Sequence, residues 1–212
     1  MSPICYERQK VYDGMLRLIH AWNALAVTSL ILTGAVSELF EHGASEKALW
    51  QIHILFGYGL LVGLAARIAW GLVGPAHARF SDMWHPSAWW SALRTLKLKT
   101  AARFGHHPLA SAAYLAVYGM LLTMAVTGLG LAAIEHNTGP LVTLLGDSVW
   151  LKEIFKGPHE VIYSLLIGFV VIHIAALIWH ETVEKTPLAQ SMVSGFQYRI
   201  AQGESDEQND NK

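Results

Sequence analysis

The chain has 212 residues, 53% of them hydrophobic and 15% charged, where an ordinary soluble domain carries about 25% charged residues. Fifteen basic and sixteen acidic residues leave a formal net charge of −1, so the basic surface of a nucleic-acid-binding protein is absent. A single cysteine, Cys5, rules out an internal disulfide, and no C-x-x-C-H run exists for covalent attachment of a c-type haem.

A membrane-crossing helix needs about 20 mostly apolar residues. Four segments meet that length: roughly 17–38 ("RLIHAWNALAVTSLILTGAVSE"), 50–73 ("WQIHILFGYGLLVGLAARIAWGLV"), 110–134 and 159–180. The first has no clear small-residue cleavage site and is expected to be retained as a span. Between the second and third, "HPSAWWSALRTLKLKTAARF" interleaves tryptophan and leucine with basic residues and predicts an amphipathic helix lying in the membrane interface. After the fourth, "TPLAQSMVSGFQYRI" is a candidate for a second, shorter helix of that kind. The division expected is a four-span domain over 1–202 and a disordered polar tail over 203–212.

Basic residues orient the chain. Twelve of the fifteen lie before or in the first span, at the end of the second and in the loop after it, or beyond the fourth. The remaining two loops hold only Lys47, Lys152 and Lys156. Both termini and the middle loop are therefore expected on the cytoplasmic side.

Ionisable residues within spans are rare and usually functional. Four histidines fall inside them: His20, His53, His159 and His173. The topology puts His20 and His173 towards the inside, His53 and His159 towards the outside. His159 and His173 are fourteen residues apart, which is roughly 21 Å along a helix and only about 40° around it. One face of the fourth span thus carries an imidazole at each level. Two histidines at one depth on facing helices can supply both axial ligands of a haem iron. The pattern predicts an all-α integral membrane four-helix bundle with two b-type haems in its core and short cytoplasmic amphipathic helices. His20 and His173 would ligate the inner iron, His53 and His159 the outer. Gly34 falls near the outer level, fourteen residues after His20, and Gly57 lies one turn after His53. Either could leave room for a porphyrin, or serve close helix packing. Arg67, fourteen residues after His53, and Arg17, one turn before His20, could pair with haem propionates or simply anchor the spans at the interface. His42, His77, His85, His106, His107, His136 and His180 lie in loops or at span ends, and none is taken as a ligand.

At these residues the chain resembles the bacterial cytochrome b561-like membrane cytochromes, which include the b-type subunits of nickel–iron hydrogenases and formate dehydrogenases. The resemblance spans nearly the whole chain through "RLIHAWN…LTG", "HILFGYGLLVGLAARIAWGLVG", "GHHPLA" and the His-x13-His of the fourth span. The C-terminal "EKTPLAQSMVSGFQYR" is most similar to the hydrogenase cytochromes. The resemblance implies a respiratory subunit of the bacterial inner membrane, surrounded by lipid. It would pass electrons between an external redox partner, such as an iron–sulfur subunit or a cytochrome c, and quinone as substrate. It also implies a quinone site near His173 and the Gly105-His106-His107 turn, where His107 replaces the asparagine common in the family. The alternative within the same fold is a stand-alone quinol oxidase acting on a small oxidant such as superoxide. A proton-coupled transporter would call for carboxylates deep in the membrane, whereas the spans carry only Glu38 and Glu160 at their ends, and a passive anchor would not need paired histidines.

Overall fold

The computed structural model describes residues 6–37, 39–40, 43–95 and 108–200. A short strand β1 (Tyr6–Lys10) leads into α1 (Gly14–Ser37), followed by α2 (Ala44–Val73). Two 3-10 turns, Ala76–Ala78 and Phe80–Met83, lead to α3 (Pro86–Thr95) and then α4 (Pro108–His136). The short α5 (Val142–Leu145) and a 3-10 turn, Val149–Leu151, precede α6 (Lys152–Thr182). The chain then forms α7 (Leu188–Ser194) and strand β2 (Phe196–Ile200). The segments Gly14–Ser37, Ala44–Val73, Ser111–His136 and Val149–Thr182 are long and apolar enough to cross a membrane. Only helices satisfy every backbone N–H and C=O of a single segment in hydrocarbon, so the four apolar runs become the four long helices.

Each long helix has a local reason to start or stop where it does. Asp13 caps α1, its Oδ1 accepting the backbone N–H of Met15 at 2.9 Å and of Leu16 at 3.0 Å. The same carboxylate accepts Trp70 Nε1–H at 3.1 Å, tying the end of α2 to the start of α1. α4 ends at Asn137 in the left-handed region, with Thr138 N–H closing onto Ala132 O at 3.0 Å. α6 opens seven residues ahead of the predicted span and carries Pro158 immediately before His159, removing one helical hydrogen bond at that point.

The long helices pack as two antiparallel pairs, α1 with α2 and α4 with α6, joined along α2 and α4. Among the described residues, α6 packs chiefly along α4. The first pair closes over a G-x-x-x-G step, Gly59 to Gly63, that lets α1 approach α2 closely. Trp22 donates its indole N–H to Gly59 O at 2.8 Å, and Trp22 and Asn23 lie directly over Gly63. The core is a layer of Ala26, Leu60, Leu64, Leu121, Ala125 and Leu166. Leu166 is midway in sequence between His159 and His173, so this apolar layer separates the two histidine levels. Leucine, isoleucine and valine such as Leu25, Val62, Leu122 and Ile172 are exposed on the outer faces, as lipid-facing positions require.

The terminal segments differ from expectation. The predicted second amphipathic helix is helical only over Leu188–Ser194. Gly195 then adopts a left-handed conformation, φ 85°, which ends the helix. The rest becomes β2, paired antiparallel with β1 in the register Tyr6↔Ile200 to Lys10↔Phe196. Alternation of apolar and polar side chains in "FQYRI" suits a strand better than a helix. Val11 and Tyr12 N–H both donate to Gly195 O, at 3.0 and 3.1 Å. Burial, with the nearby Tyr114 as a lesser cause, pushes the Tyr12 phenol up to about 12, so it stays neutral. Of the first predicted amphipathic helix, Pro86–Thr95 is helical. Its remainder, the Gly105-His106-His107 turn and the 203–212 tail lie outside the described residues.

A Cβ at Gly63 would collide with Asn23 Oδ1 and lie 2.7 Å from Trp22 Cδ1, whereas one at Gly59 would make an ordinary 3.5 Å contact with Trp22 Cζ2. Gly63→Ala should cost about 1–3 kcal/mol through overpacking, while Gly59→Ala should stay within about 0.5 kcal/mol of wild type. Thermal unfolding of both variants in detergent checks the contrast.

Candidate functional site

The four spans enclose an apolar cavity of about 380 Å³ between α1, α2, α4 and α6, within the range of roughly 300–1,000 Å³ typical of small-molecule and cofactor sites. His53 from α2 and His159 from α6 both face it, as do Gly34, Gly57 and Gly128. Gly34 lies over the His53 ring, where a Cβ would be 3.7 Å from Cε1, and Gly128 lies over the His159 ring, where the same distance would be 3.4 Å. At Gly57 a Cβ would meet nothing within 4 Å, because the cavity is in front of it.

Each ring is held from behind. Thr33 Oγ1 is 3.0 Å from His53 Nδ1, and Thr127 Oγ1 is 2.8 Å from His159 Nδ1. The threonine immediately precedes the glycine in both cases, Thr33-Gly34 on α1 and Thr127-Gly128 on α4. Neither threonine nor Gly128 was expected from the sequence, where an intramembrane threonine looks like a residue bonding its own helix. The repeated Thr-Gly dipeptide, one on each helix facing a histidine-bearing helix, is the signal that would have found them.

The cavity has an aromatic and polar end. Trp50 meets His53 edge-on, with ring centroids 5.4 Å apart, and packs against His136 at 5.5 Å. Lys152 Nζ bridges to Glu135 at 2.8 Å across the ends of α6 and α4, and Lys156 lies 3.6 Å from Glu160. His136, left unassigned from the sequence, thus lines the cavity wall.

The second histidine pair stands at the other level. It comprises His20 on α1, which is exposed, and His173 on α6, which is half-buried. His173 stacks on Phe169, with ring centroids 5.7 Å apart and planes 16° from parallel. The structure thus places His53 and His159 on one cavity, with His20 and His173 on α1 and α6 at the other level.

The two arginines are engaged elsewhere. Arg67 is only 3% exposed. Its Nε donates to Tyr118 OH at 2.9 Å and its Nη1 to Ala78 O at 3.0 Å. Its guanidinium lies 4.6 Å from the centroid of the Phe80 ring. Arg67 thus fastens the turns after α2 against α4. Arg17 donates from Nη1 to Val193 O, fastening α7 to the start of α1. Its Nε is buried without a hydrogen-bond partner among the described residues.

The residues present fit a haem. The cavity is apolar, glycines border it, and two imidazoles face it with Nδ1 already occupied, leaving Nε2 for a metal. Among the described residues no group of three or more His, Cys, Asp or Glu side chains could hold a bare metal ion. A porphyrin removes that need, because two imidazoles complete its iron.

The profile of a family described as prokaryotic cytochrome b561 matches residues 11–195. The chain is 26% identical over 216 residues to a probable Ni/Fe-hydrogenase B-type cytochrome subunit of Azotobacter vinelandii, covering 88% of this chain and 87% of that protein. It is 29% identical over 216 residues to the protein of the same name in Cupriavidus necator, covering 88% and 85%. It is 24% identical over 213 residues to a probable Ni/Fe-hydrogenase 1 B-type cytochrome subunit of Escherichia coli K12, covering 88% and 89%. No solved structure matches the chain.

Gly57 offers a direct probe of the cavity, since a leucine there meets no protein atom at its Cβ. Gly57→Leu should still fold, because leucine is a better helix former than glycine by up to about 1 kcal/mol. It should lose haem absorbance in proportion to the occupancy of this cavity. Full haem retention would show that the glycine does not provide clearance.

Proposed function

The chain belongs to the prokaryotic cytochrome b561 family, and on that premise we propose that it is the membrane electron-transfer subunit of a respiratory hydrogenase complex. It would pass electrons between an external iron–sulfur partner and the quinone pool of the bacterial inner membrane. The relatives' names favour this role over a stand-alone quinol oxidase acting on superoxide. The observation that carries it is that His53 and His159, on different helices, line one apolar cavity.

Bound b-type haem supplies a one-electron iron couple at each level. The protein's part is to hold two such groups at fixed depth and keep water away from them. His20 and His173 are the proposed inner ligands, His53 and His159 the outer. Gly34, Gly57 and Gly128 keep the outer cavity open to a planar ring. The layer around Leu60, Leu64, Leu121 and Leu166 fills the space between levels and excludes water there. α6 bridges the levels, because its histidines return to one face after fourteen residues.

Sidedness follows from charge. With basic residues concentrated at the termini and the middle loop, the sheet of β1 and β2 and helices α3 and α7 lie in the cytoplasm, and the outer cavity faces the docking partner. The partner would engage the outer ends of the spans and their connections, around 39–49 and 135–158. Quinone would exchange electrons at the inner level, close to His173.

The test is stoichiometry. A pyridine haemochrome assay of the fully loaded, purified chain should give about two haems per polypeptide, both low-spin, as bis-imidazole ligation requires. A value below about one and a half would mean that one of the pairs is not a ligand set.

A further inference from the structure

We propose that Thr33 and Thr127 are positioning residues for the outer iron site, fixing the tautomer of both ligand imidazoles and adding electron density to them, so that the outer midpoint potential is lower than the same histidines would give alone. This rests on the ligand reading above.

Proton bookkeeping gives the direction of both bonds. A hydroxyl has one hydrogen to donate. Thr33 Oγ1 donates to Ser29 O at 2.7 Å and Thr127 Oγ1 to Thr123 O at 2.7 Å, each one turn back along its own helix. That commits the hydroxyl proton and leaves a lone pair towards the ring. At 3.0 and 2.8 Å from that oxygen, His53 Nδ1 and His159 Nδ1 must be the donors. A neutral imidazole has one N–H, so Nε2 of both rings carries the free lone pair that binds a metal. An outer partner on the distal N–H also orients a ligating ring and raises its basicity. A hydroxyl already donating to a carbonyl is polarised and accepts more strongly.

The bland alternative is threonine bonding its own helix, which is common in membrane helices. That accounts for the carbonyl bonds and not for where the oxygens lie. Both hydroxyls meet a histidine Nδ1 on a neighbouring helix, and both are followed by a glycine that lies over that ring. The inner level is built differently. Among the described residues, no ring nitrogen of His20 or His173 has a hydrogen-bond partner, and His173 is held by stacking on Phe169. The inner site is therefore an internal control.

The experiment is a potentiometric titration of the purified holoprotein for Thr33→Val, Thr127→Val, the double variant, and the corresponding serine variants. Haem content is measured alongside. Each valine variant should raise the outer midpoint potential, the double variant further, with the inner midpoint unmoved. The serine variants, which keep the hydroxyl, should stay close to wild type. Should a valine variant lose outer haem while its serine counterpart keeps it, the positioning role stands through loading instead of potential. An unmoved outer midpoint in a fully loaded double variant overturns the proposal, and so does equal haem loss in valine and serine variants, since side-chain shape would then be the cause. The ligand reading fails separately: His53→Ala and His159→Ala would leave haem content unchanged.

Discussion

A bilayer admits helices because they satisfy their own backbone, and this constraint decides where chemistry can be placed in this protein. With the backbone committed, only side chains can hold a cofactor, and the helical period determines which of them share a face. Fourteen residues bring α6 back to nearly the same azimuth, so His159 and His173 point to one side at two depths. The antiparallel run of α1 and α2 then sets His20 at one of those depths and His53 at the other. Packing follows from the same arrangement. α6 lies along α4 and leaves α1 and α2 across a cavity, which is where a large planar group has room.

Two kinds of close approach maintain that geometry. At Gly63 the side chains of Trp22 and Asn23 press against bare backbone, locking α1 to α2. At Gly34 and Gly128 the imidazoles lie over bare backbone at ordinary contact distance, with the adjacent threonine hydroxyl at Nδ1 of each ring. The first contact builds a helix pair and the second aims a functional group. Arg67 illustrates a different use of charge in a membrane protein. Its guanidinium is fully buried among Tyr118, Phe80 and Ala78 O, so its hydrogen bonds and ring contacts take the place of water.

Much of this was legible in the sequence. The four spans follow from apolar length alone, and the depth of Gly34 followed from counting fourteen residues from His20; the structure puts it against His53. Other features were hidden for physical reasons. β1 and β2 pair residues nearly two hundred positions apart, and local pattern carries no information on such a partner. Thr33 and Thr127 are uncharged and bond their own helices, so nothing in composition marks them. His136 lies at a span end, and only the fold reveals that α4 ends against the cavity wall beside Trp50. The contacts of Arg67 depend on how the turns after α2 fold back, a feature set by the Phe80 ring seated against Gly71.

The central claim is that the histidines act as two pairs sorted by depth. The most direct measurement is the low-temperature α-band spectrum of reduced His20→Ala, His53→Ala, His159→Ala and His173→Ala, each compared with wild type. Depth pairing predicts that His20→Ala and His173→Ala lose the same spectral component, and that His53→Ala and His159→Ala lose the other. If His20→Ala instead matched His159→Ala, and His53→Ala matched His173→Ala, the pairing would be contradicted, and with it the placement of the two levels.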